Sequence, residues 1–345
     1  MDLFRVDLPI VLAPMAGFGT VELAIAAARA GALASIPCAT ISLDEAERQV
    51  AAFRACGRPI NVNFFCHVPP ASADVSAWRA RLAPLYAELG ASDGASGVER
   101  RPFDADACAW LERATPEVAS FHFGLPAAEL LARVKATGAL VISSATTVRE
   151  ARWLEDHGCD AIIAQGAEAG GHRGMFLTDD ASAQPGTFAL VPQICDAVRV
   201  PVIAAGGIGD ARGIAAAFAL GAAGVQIGTA YLACPEAKVS AIHRRALADA
   251  TDESTVITNV LTGRPARGIA NRTIRELGPL NAAAPPFPLA AAALAPLRAV
   301  AEAHGSGDFT NLWAGQAAHL ARAGEPAEAL TRRLAHEALE RFAML

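Results

Sequence analysis

The chain has 345 residues, 53% of them hydrophobic and 19% charged, enough for one large α/β domain with an appendage or for two ordinary domains. A formal net charge of −6 and a pI near 5.8 argue against nucleic acid or an anionic membrane as a main partner, because both attract basic patches. Lys135 and Lys238 are the only lysines, so chemistry through a lysine Schiff base has few places to occur.

In chain order, the N-terminus MDLFRVDLPIVLAPMAG lacks the basic region and long apolar core of a signal peptide. Strand candidates follow at PIVLAPM (9–15), ALASIP (32–37), PINVNFF (59–65), VASFHFG (118–124), ALVISSA (139–145), AIIAQG (161–166), PVIAAGG (201–207) and GVQIGTA (224–230). Between them lie alanine-rich windows of helical period: VELAIAAARAG, LDEAERQVAAFRACG, PAAELLARVKATG, TVREARWLEDHG and DARGIAAAFALGA. Several end in glycine, the usual left-handed stop. Strands apolar on both faces and separated by helices imply a parallel sheet. The stretch 92–106 is expected to be a polar loop.

Eight βα units suit a closed (β/α)₈ TIM barrel. The competitor, a doubly wound open sheet, usually carries an early GxGxxG turn, which this chain lacks. The expected division is a barrel over residues 1–249, an irregular excursion over the barrel mouth at 250–315, and helices from Gln316 to the end packing back on the barrel. The proline-rich stretch 281–297 carries four prolines, which would break a membrane-spanning helix. Seven cysteines are scattered without a CxxC pair, which fits reduced thiols in a cytoplasmic protein better than a disulfide framework or a zinc site.

In such barrels the active site lies at the C-terminal ends of the strands. Glycines Gly206 and Gly207 follow the seventh strand, before a helix starting near Asp210, and Gly228-Thr229 follows the eighth. Together they suit a phosphate held on backbone N–H groups without lysine, although tight turns need glycine as well. Gln165 and Asn63 end strands that are otherwise apolar, so their amides must find partners. Those partners are either neighbouring backbone or a heterocycle such as the pyrimidine edge of a flavin.

Of eight histidines, His157, His243, His304, His319 and His336 fall in helical or irregular segments and read as surface or packing residues. His67 and His122 fall at or near strand ends. His172 stands in a glycine-flanked loop, QGAEAGGHRG, where a base near neutral pH could reach a substrate. Arg173 beside it is either an anion clamp or half of a loop salt bridge. No lysine falls at a strand end, no histidine/carboxylate cluster has metal spacing, and no GxSxG elbow occurs. The reactivity is therefore expected to come from a bound redox cofactor.

PIVLAPMAG, NVNFF, SFHFGLP, SSATTVREA, CDAIIAQGAEAGGHRG, PVIAAGGIGDARG and GVQIGTAYL together resemble the nitronate monooxygenases, formerly called 2-nitropropane dioxygenases. TGRPARGIANR and LWAGQAAHLAR extend the resemblance into the C-terminal part. It implies a barrel that binds FMN noncovalently. The backbone of Ala13, Pro14 and Met15 would lie against the isoalloxazine, with Asn63 and Gln165 on its polar edge. Gly170, Gly206, Gly207, Gln226, Gly228 and Thr229 would surround the ribityl phosphate. His172 matches the catalytic base, and His122 and Arg173 are candidate substrate contacts.

The implied reaction takes an alkyl nitronate such as propionate 3-nitronate, or a nitroalkane, and O₂ to a carbonyl compound and nitrite. Some relatives carry histidine and lysine where this chain has Ser143-Ser144, a region that His122 would then fill. Flavin-dependent NAD(P)H:quinone and enoyl-thioester reductases share the fold and the GGH element and are the nearest alternative. A flavin-free phosphosugar barrel and a catalytically silent scaffold are weaker ones. The expected protein is a monomer or homodimer without a metal.

Overall fold

We describe residues 2–72, 74–92 and 100–343 of a computed structural model. The strands are β1 (Ile10–Leu12), β2 (Ala34–Pro37), β3 (Ile60–Phe65), β4 (Val118–His122), β5 (Leu140–Ala145), β6 (Ala161–Gln165), β7 (Gly171–His172), β8 (Val202–Ala205), β9 (Gly224–Ile227), β10 (Thr255–Thr258) and β11 (Ala266–Ile269). All eight expected strands form, each shorter than its apolar run. They pair in parallel in the order β1-β9-β8-β6-β5-β4-β3-β2. The ring closes where Leu33 N donates to Ile10 O and Leu12 N to Leu33 O, both at 2.9 Å. The expected TIM barrel is therefore the observed fold.

Alternation along each strand explains why both faces read as apolar. Val11, Ile142, Ile163 and Ile203 point inward and pack with Phe4. Leu12, Val62, Val141 and Ile162 point outward into the helix layer. Toward the C-terminal ends the barrel-facing residues turn polar. Asn61 Nδ2 donates to Ser35 Oγ at 2.8 Å, and beyond it come Asn63, Gln165 and Gln226. This gradient from apolar floor to polar mouth positions the site.

The first helices are α1 (Val21–Arg29), α2 (Leu43–Arg54), α3 (Ser76–Leu89), α4 (Ala105–Ala114), α5 (Ala128–Ala136), α6 (Val148–Asp156) and α7 (Thr187–Cys195). They are followed by α8 (Ala211–Ala219), α9 (Thr229–Leu232), α10 (Ala241–Ala248), α11 (Arg272–Leu277), α12 (Leu289–Ala303) and α13 (Ala327–Phe342). Thr20, Ser42 and Thr147 cap α1, α2 and α6 through their hydroxyls, each cap contributing about 1 kcal/mol. Of the polar loop expected at 92–106, residues 93–99 lie outside the described residues, and α4 already begins at Ala105 behind its Asp104 cap. Within AAHLARAG only Ala318–Leu320 coils, as a single 3-10 turn.

The excursion over the mouth is more ordered than its sequence predicts. β10, β11 and β7 form an antiparallel sheet. Val260, Ile274, Leu294, Leu297 and Phe309 build a second apolar core with Trp78, Leu82 and Leu85 of α3. Thus an insertion between β3 and β4 supports the C-terminal segment, a pairing that no local periodicity announces. Among the described residues no helix is long and apolar enough to cross a membrane. All seven cysteines are free thiols.

Candidate active site

A cavity of about 500 Å³ opens between the C-terminal strand ends and the excursion. That volume lies within the range of small-molecule and cofactor sites. One wall is backbone. Gly206 and Gly207 hold φ values of +109° and +71°, the left-handed region that glycine enters without strain. A Cβ on Gly206 would stand 2.8 Å from Ala169 N, and one on Gly170 would stand 2.6 Å from Ala314 C and Gly315 N. The chain segments at 169–170, 206–207 and 314–315 therefore approach one another only because side chains are missing.

The helix after the seventh barrel strand does not offer its N-terminus to a ligand. Asp210 caps α8, accepting from Arg212 N at 2.9 Å and Gly213 N at 3.4 Å, and its carboxylate also pairs with Arg212. Burial raises the Asp210 pKa, but the bonds to Arg212 and Gly213 outweigh it and hold the carboxyl below the ordinary range. The turn that faces the cavity is α9, whose Thr229 Oγ1 accepts from Gly315 N at 2.9 Å. Gln226 Oε1 is buried on the wall without a partner among the described residues.

His172 lies on β7 rather than in an irregular loop, paired with Ala266 of β11. Its Nε2 sits 2.9 Å from Thr262 Oγ1, and that hydroxyl has Arg264 O as its own acceptor at 3.3 Å. The contact fixes the orientation of the imidazole on the cavity wall. Around the imidazole stand Phe123, Phe287 and Trp313, with ring centroids at 5.9, 5.3 and 5.4 Å. Burial first, then His122 and nearby arginines, hold the His172 pKa well below the ordinary histidine value. At neutral pH the ring is an uncharged base.

His122 lines the same cavity. Its Nδ1 lies 3.0 Å from Ser144 Oγ and its Nε2 3.2 Å from His172 O, so it does fill the region beside the serines. Burial pushes it down to about 3. His67 is placed behind the wall, bonded through Nε2 to Arg100 O at 3.0 Å. His243, expected only to pack, is buried but also lines the cavity, its Nε2 3.0 Å from Trp313 O.

The family model described as nitronate monooxygenase matches residues 1–337. The chain belongs to the nitronate monooxygenase family. It is 42% identical over 337 residues to the nitronate monooxygenase of Paraburkholderia phytofirmans, covering 95% of this chain and 92% of the relative. It is 40% identical to that of Pseudomonas aeruginosa, covering 97% of each. Among solved structures, a nitroalkane oxidase from Streptomyces ansochromogenes is similar at a TM-score of 0.91 and 39% identity, over 100% of this chain and 99% of that one. FabK from Thermotoga maritima is similar at 0.76 and 28%, over 99% and 96%.

This nitronate monooxygenase family member is thus an oxidoreductase, and its family implies a flavin. The cavity fits one on its own terms: it has the volume, a glycine-walled side that a Cβ would fill, and the orphaned Gln226 oxygen. The structure brings Ala13, Pro14, Met15, Asn63, Gln165, Gly170, Gly206, Gly207, Gln226, Gly228 and Thr229 to this cavity together with His122 and His172. The two amides are partly engaged already. Asn63 Nδ2 donates to Ser120 Oγ at 2.9 Å. Gln165 Nε2 donates to His172 O at 3.0 Å, and its Oε1 accepts from Gly174 N at 2.7 Å. Gln165 therefore fixes the His172 segment, keeping one amide hydrogen for another acceptor.

Two expectations need correction. Arg173 is neither an anion clamp on the cavity surface nor half of a salt bridge. It is fully buried and donates to the carbonyls of Gly166, Ala167, Ala169 and Gly171. Burial, then the charge of Arg267, bring its pKa down to about 9, so it stays a cation. Lys238, set aside as lying beyond the last strand, forms part of the cavity wall, while its charge acts on Glu45. Sequence reasoning missed Thr262, Arg264 and the aromatic ring set. Arg264 Cζ stands 4.2 Å over the Phe123 ring, a cation–π contact. Thr262 is 90 positions from His172, and no local signal joins them.

Proposed function

We propose that this protein oxidises alkyl nitronates, and nitroalkanes more slowly, with FMN and O₂, giving a carbonyl compound and nitrite. The observation that carries the proposal is the His172 imidazole on the wall of a glycine-lined cavity, its pKa held low enough to keep it neutral. Ala13, Pro14 and Met15 would support the isoalloxazine, with Asn63 and Gln165 at its edge and Gly170, Gly206, Gly207, Gln226, Gly228 and Thr229 around the ribityl phosphate. Bound FMN supplies the electron acceptor that the side chains lack.

The His172 imidazole takes the α-proton of a neutral nitroalkane. A nitronate has already lost that proton, so there the imidazole orients the substrate. The phenyl rings about His172 exclude water from the proton transfer. Arg100 and Arg298 line the same cavity and make no ion pair among the described residues. They suit a nitronate that carries a second anionic group, such as propionate 3-nitronate.

The test is anaerobic mixing of the flavin-loaded protein with a nitronate or with NADH. Bleaching by nitronate and not by NADH is expected. The likeness to FabK favours one second reading, a nicotinamide-dependent reductase, and rapid bleaching by NADH alone would select it.

A further inference from the structure

The two most deeply buried cations of the site remain without a function. Arg173 is fully buried, and its guanidinium meets only peptide carbonyls: Gly166 O at 3.1 Å, Ala167 O at 3.2 Å, Gly171 O at 2.9 Å, and Ala169 O. Its Nε has no partner. Arg267 of β11 is 7% exposed. It donates to the same segment, through Nε to Ala167 O at 2.8 Å, and through Nη1 to Thr255 O at 3.2 Å. Neither guanidinium bonds a carboxylate among the described residues. The neighbouring Glu168 spends its oxygens on Thr187 N and Oγ1 at 2.7–2.9 Å.

The Glu168 carboxylate acts on both guanidiniums but can offset only one of them, and carbonyl dipoles solvate a buried guanidinium without cancelling its charge. Two such charges lie under one loop, and the other side of that loop lines the cavity at Ala169 and Gly170. The peptide joining these residues turns its carbonyl toward Arg173. In a trans peptide the N–H points the opposite way, so the Gly170 N–H is directed away from the arginine.

We infer that Arg173 and Arg267 are the buried counter-charge of the flavin phosphate, acting through the 166–171 loop to make the site prefer phosphorylated flavin over riboflavin. The inference rests on the flavin reading above and adds the source of its charge selectivity. A phosphate anion at the loop meets the positive charge that Glu168 does not offset. Both arginines are positioning residues, since they reach the ligand through the backbone.

The experiment titrates flavin-stripped protein with FMN and with riboflavin, following flavin fluorescence, in wild type, Arg267→Gln and Arg267→Lys. Arg267→Gln is expected to weaken FMN about tenfold, equivalent to about 1.4 kcal/mol, with riboflavin nearly unchanged. Arg267→Lys, which keeps the charge, should retain most of the preference. A role in packing alone would weaken both flavins in equal proportion in Arg267→Gln, and that result overturns the inference, as does no change in either.

Should Arg267→Gln fail to fold, Arg173→Lys provides the second comparison. Retention of FMN preference over riboflavin there supports a charge effect, and its loss with riboflavin unchanged overturns it. Wild-type protein that binds neither flavin would instead refute the flavin reading itself.

Discussion

His172 is held from two directions, by the β7–β11 pairing behind its backbone and by the Thr262 hydroxyl at its Nε2. Replacing it with asparagine keeps a polar group of similar reach but removes the base. Nitroalkane oxidation should fall by about 10²–10⁴, the usual contribution of a positioned base, while nitronate oxidation largely survives; steady-state rates on the two substrate forms decide this. Equal loss of both would mean that His172 does not act as the base.

Because burial and neighbouring charge depress its pKa, the neutral ring persists as pH falls through the ordinary histidine value of about 6.5. Nitroalkane kcat/KM should therefore stay level across that pH and decline only well below it. Thr262→Val removes the hydroxyl that anchors the His172 ring at Nε2. We expect about a tenfold loss in nitroalkane kcat/KM, within the general-base range, restored by Thr262→Ser.

At the scale of elements, the glycine wall and the anchored 166–177 segment do the positioning. Glu150 is fully buried and ties the 176–177 end of this segment to the turn after β5 at Thr146. Its carboxylate accepts from Thr146 N and Phe176 N at 2.7 Å and from Leu177 N at 3.1 Å. Gly170→Ala would drive a Cβ to 2.6 Å from the 314–315 backbone, which cannot yield as a side chain would. The purified variant should be colourless, with its visible flavin absorbance lost; full flavin content would refute the close approach.

The barrel strands were legible because both faces are buried, so each is a short run rich in β-branched and apolar residues, most of them closed by glycine or proline. β7 was not legible. Two residues, Gly171 and His172, carry no periodicity, and their strand character comes wholly from a partner near position 266.

Across the whole molecule, the cavity exists because two cores meet at it. The barrel gives the strand ends, and the core built by α3 with residues 260–309 gives the roof. Leu297 is fully buried in that second core. Leu297→Ala should cost about 2–5 kcal/mol, the range for large-to-small changes in a core, measured by urea unfolding. Hydrogen exchange should rise over 260–309 and α3 before it rises in the barrel strands, since the cavity is made in the roof. Uniform exchange through both would show one cooperative unit instead.

Sequence by itself determined the eight-fold alternation of strand and helix, the closure expected of it, and the glycine–histidine string that marks the family. These are local properties, set by side-chain period and by the few residues that tolerate left-handed backbone. Tertiary structure alone decided what the site residues touch. It turned Arg173 inward onto carbonyls, gave Lys238 a place in the wall, let Asp210 cap its own helix, and set Thr262 against His172 across 90 positions. The physical reason is that burial and hydrogen-bond satisfaction are settled between segments distant in the chain, where the period of either one carries no information about the other.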